Sequence, residues 1–461
     1  MNYNLLEERW IPVLMNDGEF RRVGILEALT GAGRIRCIAA SNPMDGVAIL
    51  RLLLALLYWC KGSPPDGAEA NLTAPLPPEW FSRLSANKDC FNLLGEGKRF
   101  YQCGKNPDST ANYLNQETPT GTNFWHFRHA ADNRDGLCLA CCALGLVRLP
   151  AFATSAGRGK SPGVNAKPPY YVISFGRSLA ETLRLSWRQA SAVGTPSWDA
   201  SDLRLPPSGE IPLLTGLTWV PRRVWLSDPE APEAPCIACG KKALLVRKIA
   251  YEGVGSTKTD AAWRDPHVIG APDEILKPGD ALGSPNAAAD QWARVMAGLL
   301  ADHKASPARK LWVVGFATVQ NDKYLEAVER FYPSTPPPDD ADRLLQEIDK
   351  WRKEGKSLPR KAAGGKKHSD VAAMVESVRP HVETRVSSLA DKLTSGVPDA
   401  WQRAGAEYRP MMEAVARSAF PGFTTAAIEK RNQIANLCPN MKEKAPSPGK
   451  RPKRTDRKGT K

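Results

Sequence analysis

Cys138-Leu139-Ala140-Cys141 and Cys236-Ile237-Ala238-Cys239-Gly240 are two C-x-x-C knuckles in one chain of 461 residues. Each knuckle presents two thiolates at a spacing that suits one tetrahedral ion, and Gly240 lets the chain turn away tightly after the second pair. One such pair is weak information; two in a chain without an export signal point to a shared zinc. Cys138, Cys141, Cys236 and Cys239 are therefore the expected metal ligands. Four sulfur ligands leave no open coordination position, so the expected zinc is structural. The competing reading is two unrelated pairs, one of them redox-active. If the ion is shared, it ties two sequence-distant loops into one body, and the folding free energy involved is on the order of ten kcal/mol.

The remaining cysteines support a reduced interior. Met1 to Val13 carries Glu7 and Glu8 where a signal peptide has positive charge followed by an apolar run, so a cytoplasmic protein without a disulfide framework is expected. Cys37, Cys60, Cys90, Cys103 and Cys438 are scattered singles, read as small buried hydrophobes. Cys142 is a spare thiol able to stand in for Cys141. His126 and His129 lie in a loop with no acidic partner at a suitable spacing, and a second metal is not expected there.

Outward from the knuckles, the pattern is mixed α and β. Short strands are expected at Trp10 to Leu14 and Phe20 to Val23, then a helix opening at Asn42-Pro43, where an Asn cap precedes a proline. Its leucines at 50, 52, 53, 54, 56 and 57 run nearly all round, which marks a buried helix. Arg51 interrupts this run, and the stretch falls short of a membrane span, so no membrane is expected. A Pro-rich link covers Ser63 to Pro78. Further strands are expected at Tyr170 to Phe175 and Leu311 to Val314, and a helix at Ala287 to His303. Gly104 to Asp135 and Ala153 to Pro169 have loop composition, and loops of that length are usually functional or disordered.

After Pro336-Pro337-Pro338 the periodicity turns helical. Ala341, Leu344, Leu345, Ile348 and Trp351 form one apolar stripe, and three more amphipathic stretches follow to about Leu437. The expected fold class is α+β: a large mixed α/β N-terminal domain with a structural four-cysteine zinc site over 1–332, then a C-terminal four-helix bundle over 339–438. Net charge is +14, yet half of it sits on residues 441–461, where nine Lys/Arg face Glu443 and Asp456. That segment is too rich in Pro, Gly and Ser to form a core, and is read as a basic disordered tail, solubilising or nucleic-acid-touching. The body is only mildly basic, which suits local phosphate-binding surfaces.

Several ordered stretches resemble the large-subunit (CasA) family of type I-E CRISPR Cascade complexes. Asn4-Leu5-Leu6 followed by Trp10-Ile11-Pro12-Val13 is similar to that family's opening. Gly216-Leu217-Thr218-Trp219-Val220-Pro221, continuing to Val224, Leu226, Asp228 and Pro229, resembles a strand segment just before its second knuckle. The resemblance covers most of residues 4 to 325 and is weaker over the bundle. It implies a non-catalytic subunit that inspects double-stranded DNA for the protospacer-adjacent motif. Such a subunit wedges the duplex open so that guide RNA can pair, and receives the helicase-nuclease effector. Implied partners are the other Cascade subunits (CasB, the CasC backbone, CasD and CasE), the guide RNA and the target DNA.

The resemblance also assigns segments. Phe127-Arg128-His129 matches a loop that touches the guide handle, a neighbouring subunit or DNA; these side chains can stack on bases or bind phosphate. Gly315 to Asn321 resembles the wedge, with Gln320 and Asn321 at a tight turn where an amide can replace base hydrogen bonds. Ala151-Phe152-Ala153-Thr154-Ser155 stands where the family commonly has a glycine-rich loop against the minor groove, with Ala153 and Thr154 replacing glycines. Arg158 and Lys160 follow in a flexible basic loop suited to phosphate. Lys258 is the choice for a minor-groove lysine, with Lys248 second. No phosphate loop, Gly-x-Ser-x-Gly elbow, His-Glu-x-x-His or dense acidic cluster occurs, so no enzyme is expected. Asp265-Pro266-His267 reads as structural. The alternatives are a zinc-stapled nuclease acting on RNA or DNA and a general nucleic-acid-binding scaffold.

Overall fold

The computed structural model describes residues 2–65, 72, 74–104, 106–115, 136–153, 163–165, 169, 171–200, 203–254, 259–268, 310–319 and 323–333, with the side chains of 312–314 and 329 on the last two strands. The chain divides into two compact units, Met1–Gln346 with Thr394–Gly396 and Glu347–Leu393 with Val397–Lys461. All described residues belong to the first. The expected helix at Ala287 to His303, the four-helix bundle and the basic tail lie outside the described residues.

In chain order the elements are β1 (Tyr3–Asn4), β2 (Ile11–Met15), β3 (Phe20–Val23), α1 (Ile25–Thr30), β4 (Ile35–Ile38), α2 (Pro43–Lys61), α3 (Ser82–Ala86), β5 (Asn92–Leu94) and β6 (Ser109–Thr110). Then come α4 (Leu139–Phe152), β7 (Tyr171–Phe175), α5 (Leu179–Ser186), α6 (Leu213–Thr218), β8 (Arg222–Leu226), β9 (Glu230–Pro235), β10 (Lys242–Leu245), β11 (Lys248–Gly253), β12 (Lys310–Val319) and β13 (Lys323–Pro333). The strands form small antiparallel sheets: β3-β2-β4, β6-β11-β8 and β13-β12-β7, with the pairs β1-β5 and β9-β10. This is a mixed α/β body, as the alternating short signals implied.

Helix α2 is its axis. Asn42 accepts from the Met44 N–H at 2.9 Å, Pro43 occupies the first turn, and Gly62 at φ +73° ends the helix. Every residue from Met44 to Trp59 is buried. By length and composition α2 could cross a membrane, but 89% of its apolar window is covered by the rest of the protein. It lies against α4, α5, α6 and β12. Two arginines inside this apolar volume each meet a carboxylate, as buried charge requires. Arg148 of α4 contacts Asp45 of α2 at 2.6 Å, and Arg51 of α2 contacts Asp265 at 2.6 Å.

Several expectations need correcting. Gly216-Leu217-Thr218 is the end of α6, and the strand begins only at Arg222. The Thr218 hydroxyl donates to Leu214 O, and Gly216 lies under the Trp263 ring, 2.3 Å from where a Cβ would stand, which favours a tightly docked helix there. Gly104 to Asp135 is not all loop: Ser109–Thr110 pairs with β11, and Ala111–Leu114 makes a 3-10 turn. Cys103 is exposed and Cys37, Cys60 and Cys90 are half-buried, so none of these four is the fully buried hydrophobe expected. Cys103 lies on a chain segment bonded through its N–H to Val224 O at 3.0 Å, at the margin of the β6-β11-β8 sheet.

Candidate metal centre and the segments around it

The two knuckles are brought together by backbone before any sulfur is considered. Leu137 and Val246 exchange N–H···O bonds of 3.0 and 2.9 Å, and the Ile237 N–H donates to Gly136 O at 3.2 Å. Gly136 permits this closeness, since a Cβ there would stand 2.4 Å from Val246 O. Cys138 then caps α4, with the Cys142 N–H on its carbonyl at 2.9 Å, and Cys141 lies in the first helical turn on the same side. On the other side, β9 and β10 are joined by the turn holding Cys236 and Cys239. The Cys236 N–H donates to Lys241 O at 2.9 Å, and the Gly240 N–H to Cys236 O at 2.7 Å, with Gly240 at φ +72°.

The result is one cluster. The Sγ atoms of Cys138, Cys141, Cys236 and Cys239 all lie within 4.8 Å of one another. Cys138 Sγ and Cys239 Sγ are 3.8 Å apart. A tetrahedral ion with metal–sulfur bonds of about 2.3 Å places its sulfurs about 3.8 Å apart, so the donor set fits. The Cys138 N–H donates to Cys236 Sγ at 3.3 Å, the kind of bond that supports a thiolate. Hydrogen bonds from Cys138 and Cys141 hold the Cys236 thiol well below its usual range, while bonding to Cys138 and Cys236 pushes Cys141 up. Four adjacent thiols cannot all ionise without a cation among them. Cys142 does not stand in for Cys141: it is fully buried, and its Sγ donates to Leu137 O at 3.8 Å.

Of the other expected site residues, Phe127, Arg128, His129, Thr154, Arg158, Lys160, Lys258, Gln320 and Asn321 lie outside the described residues, as do His126 and Cys438. Lys248 is exposed at the start of β11. Ala153 is a correction: it is 1% exposed, directly after α4, so it belongs to the core instead of offering a surface to DNA. The strands around Gln320 are longer than expected. β12 and β13 pair from Lys310 with Pro333 to Val319 with Lys323, leaving residues 320–322 as their connection.

Sequence reading named Arg51 and Asp265-Pro266-His267 separately and did not join them into the buried polar node they form. Arg51 Nη1 contacts Asp265 Oδ1 at 2.6 Å and His267 Nδ1 at 3.4 Å, and Asn165 donates to Asp265 Oδ2 at 2.9 Å. The available signal was Arg51 itself: a guanidinium inside an all-apolar helix demands a carboxylate. Burial, reinforced by Arg51, lowers the His267 pKa to about 3. His267 is thus neutral, and its Nδ1 accepts from Arg51.

A mixed α/β body whose two distant knuckles converge on a four-sulfur cluster, with a long antiparallel hairpin joined to its central helix, defines a scaffold with a candidate metal centre. Residues 4–277, more than half of the chain, match the family described as CRISPR-associated protein Cse1. The chain belongs to that family, the large subunit of type I-E Cascade. Among curated relatives, CasA/Cse1 of Thermus thermophilus is 28% identical over 228 residues; the match spans 44% of this chain and 43% of that protein's length. The fold is shared with the Thermus thermophilus CasA structure (TM-score 0.66, 20% identity, 94% of this chain and 98% of that one). It is also shared with Cse1 from Acidimicrobium ferrooxidans (0.63, 18%, 95% and 98%) and with a chain of a CRISPR RNA-guided surveillance complex (0.66, 13%, 94% and 99%).

Proposed function

We propose that this chain is the non-catalytic subunit of a cytoplasmic Cascade complex that recognises the protospacer-adjacent motif in double-stranded DNA and starts R-loop formation. The observation that carries this reading is the hairpin β12–β13. Its strands stay paired up to Val319 and Lys323, its root adjoins the core through β7, and its connection is Gln320-Asn321-Asp322. Parting one base step costs about 1–2 kcal/mol, which one or two new hydrogen bonds from the Gln320 and Asn321 amides can offset. Thr154, Arg158, Lys160 and Lys258 are the proposed phosphate and groove contacts. Phe127, Arg128 and His129 are assigned to the guide handle or a neighbouring subunit.

Zinc is the proposed ion for Cys138, Cys141, Cys236 and Cys239, because four thiolates in tetrahedral array favour it over harder cations. When bound, it would cross-link the start of α4 to the β9–β10 turn. The chain's own part is to hold the four thiols convergent through the Leu137–Val246 and Ile237–Gly136 pairings. Partners follow from the family: the remaining Cascade subunits, guide RNA, target DNA and the recruited helicase-nuclease, to which strand cleavage is assigned.

The test uses the assembled complex. Gln320→Ala should slow target opening, read by 2-aminopurine fluorescence beside the motif, far more than it weakens binding to unrelated duplex. Equal loss of both would overturn the wedge, and Mg²⁺-dependent cleavage by the isolated chain would overturn the non-catalytic reading.

A further inference from the structure

We propose that the buried node Arg51–Asp265–Asn165–Tyr171 is a positioning device that couples the residues flanking 154–162, Ala151 to Ala153 and Gly163 to Asn165, to the root of the hairpin β12–β13; this rests on the reading of 154–162 and the hairpin as the DNA-facing parts. All four residues are buried, and they come from four separate places in the chain: α2, the segment after β11, the short stretch 163–165, and β7.

The connections run in both directions. On one side, the Tyr171 hydroxyl donates to Ala151 O at 2.6 Å, at the end of α4. Asn165 binds Asp265 Oδ2 at 2.9 Å and reaches the Tyr171 hydroxyl at 3.4 Å, in the short stretch 163–165. Between these, the Gly163 N–H donates to Ala153 O at 3.1 Å. Gly163 stands so close to α4 that a Cβ would be 2.9 Å from Pro150 O. The described residues on either side of 154–162 are thus bonded to the same side-chain node.

On the hairpin side, Tyr171 is paired with Val314 and Val172 with Val313. The Val172 N–H donates to His267 O at 2.7 Å, and the His267 N–H donates to Asp265 Oδ1 at 3.0 Å. Arg51 holds the centre: it bonds Asp265, and its guanidinium carbon is 4.7 Å from the Tyr171 ring centroid. A charged pair in an apolar core is a poor way to add stability, since hydrophobic residues of similar volume do as well or better. It is a good way to fix direction, because each bond is satisfied in one arrangement only. A DNA-opening device has that need, since its loop and its hairpin must address the same few base pairs together.

Asn165→Ala and Tyr171→Phe test this in the complex, since each deletes node bonds without stranding the Arg51 charge. Three quantities are read: melting temperature, hydrogen exchange at the amides of Gly163 and Val172, and target opening against binding to unrelated duplex. The expected result is faster exchange at those two amides, a melting temperature close to the parent, unchanged binding to unrelated duplex, and opening slowed by about tenfold, the effect of one lost buried hydrogen bond. Opening at the parent rate in both variants, with Gln320→Ala defective alongside, would overturn the coupling while leaving the wedge standing. Normal opening by Gln320→Ala would remove the wedge reading, and the coupling with it. Proportional loss of stability, binding and opening would reduce the node to a core ion pair and overturn the proposal.

Discussion

The ring of Trp312 lies against Gly46: a Cβ added at residue 46 would stand 2.7 Å from Trp312 Cη2, and the indole Nε1 donates to Glu329 Oε1 at 2.8 Å. This packing joins the first turn of α2 to both strands of the hairpin. A glycine near the start of a helix has a low intrinsic helix propensity, so its presence here reflects the close approach of the indole.

Gly46→Ala should therefore destabilise the chain by about 1–2 kcal/mol, because overpacking against a rigid ring outweighs the gain in helix propensity. Trp312→Phe in the same chain should relieve the clash, so the double variant should be more stable than the sum of the two singles predicts. Additive urea midpoints would show that the ring moves aside freely.

Metal analysis of the purified chain should return about one zinc, lost in Cys236→Ser and retained in Cys142→Ser. The second half distinguishes the four-sulfur set from one that uses the spare thiol, whose Sγ is turned to Leu137 O. Loss of the ion should lower stability by several kcal/mol, read as chelator-sensitive unfolding.

Stability should fall with acid below about pH 6.5. Burial and Arg51 hold the folded His267 pKa at about 3, with Asp265 opposing and Arg188 reinforcing them. The unfolded chain therefore takes up a proton that the folded chain refuses, costing up to ~1.4 kcal/mol per pH unit in that window and nothing above it. Asp265 adds at lower pH: burial alone would raise its pKa, but Arg51 holds it below the ordinary value, so its contribution is present above about pH 4 and lost as pH falls through the folded value. His267→Gln should flatten the dependence of the urea midpoint between pH 6.5 and 4.5. Equal slopes for both chains would refute the assignment.

Deleting residues 441–461 removes nine Lys/Arg. If they touch phosphates, log affinity for duplex DNA should depend less steeply on log salt, by about 0.9 for each phosphate the shortened chain leaves unneutralised. An unchanged slope would leave the segment a solubilising end.

Local chemistry was legible where it was strong. Asn42-Pro43 set the start of α2, and leucines on every side of that helix marked it as buried. Phe20–Val23 and the start of β12 could be read from β-rich runs. The α6 segment was expected as strand from the family resemblance; it is helical, and its Gly216 lets Trp263 lie over it. Ala153 failed similarly: small residues suit close approach to DNA or to a core, and burial chose the core.

Alone, the sequence determined the two knuckles, the buried helix and the family, since each rests on residue types at short spacings or in a fixed order. Tertiary structure decided which distant groups meet. Cys138 faces Cys239 only because Leu137 pairs with Val246, and Arg51 finds Asp265 a long way down the chain. Such meetings depend on how whole elements pack once chain entropy has been overcome, and neither short-range periodicity nor residue spacing encodes that sum.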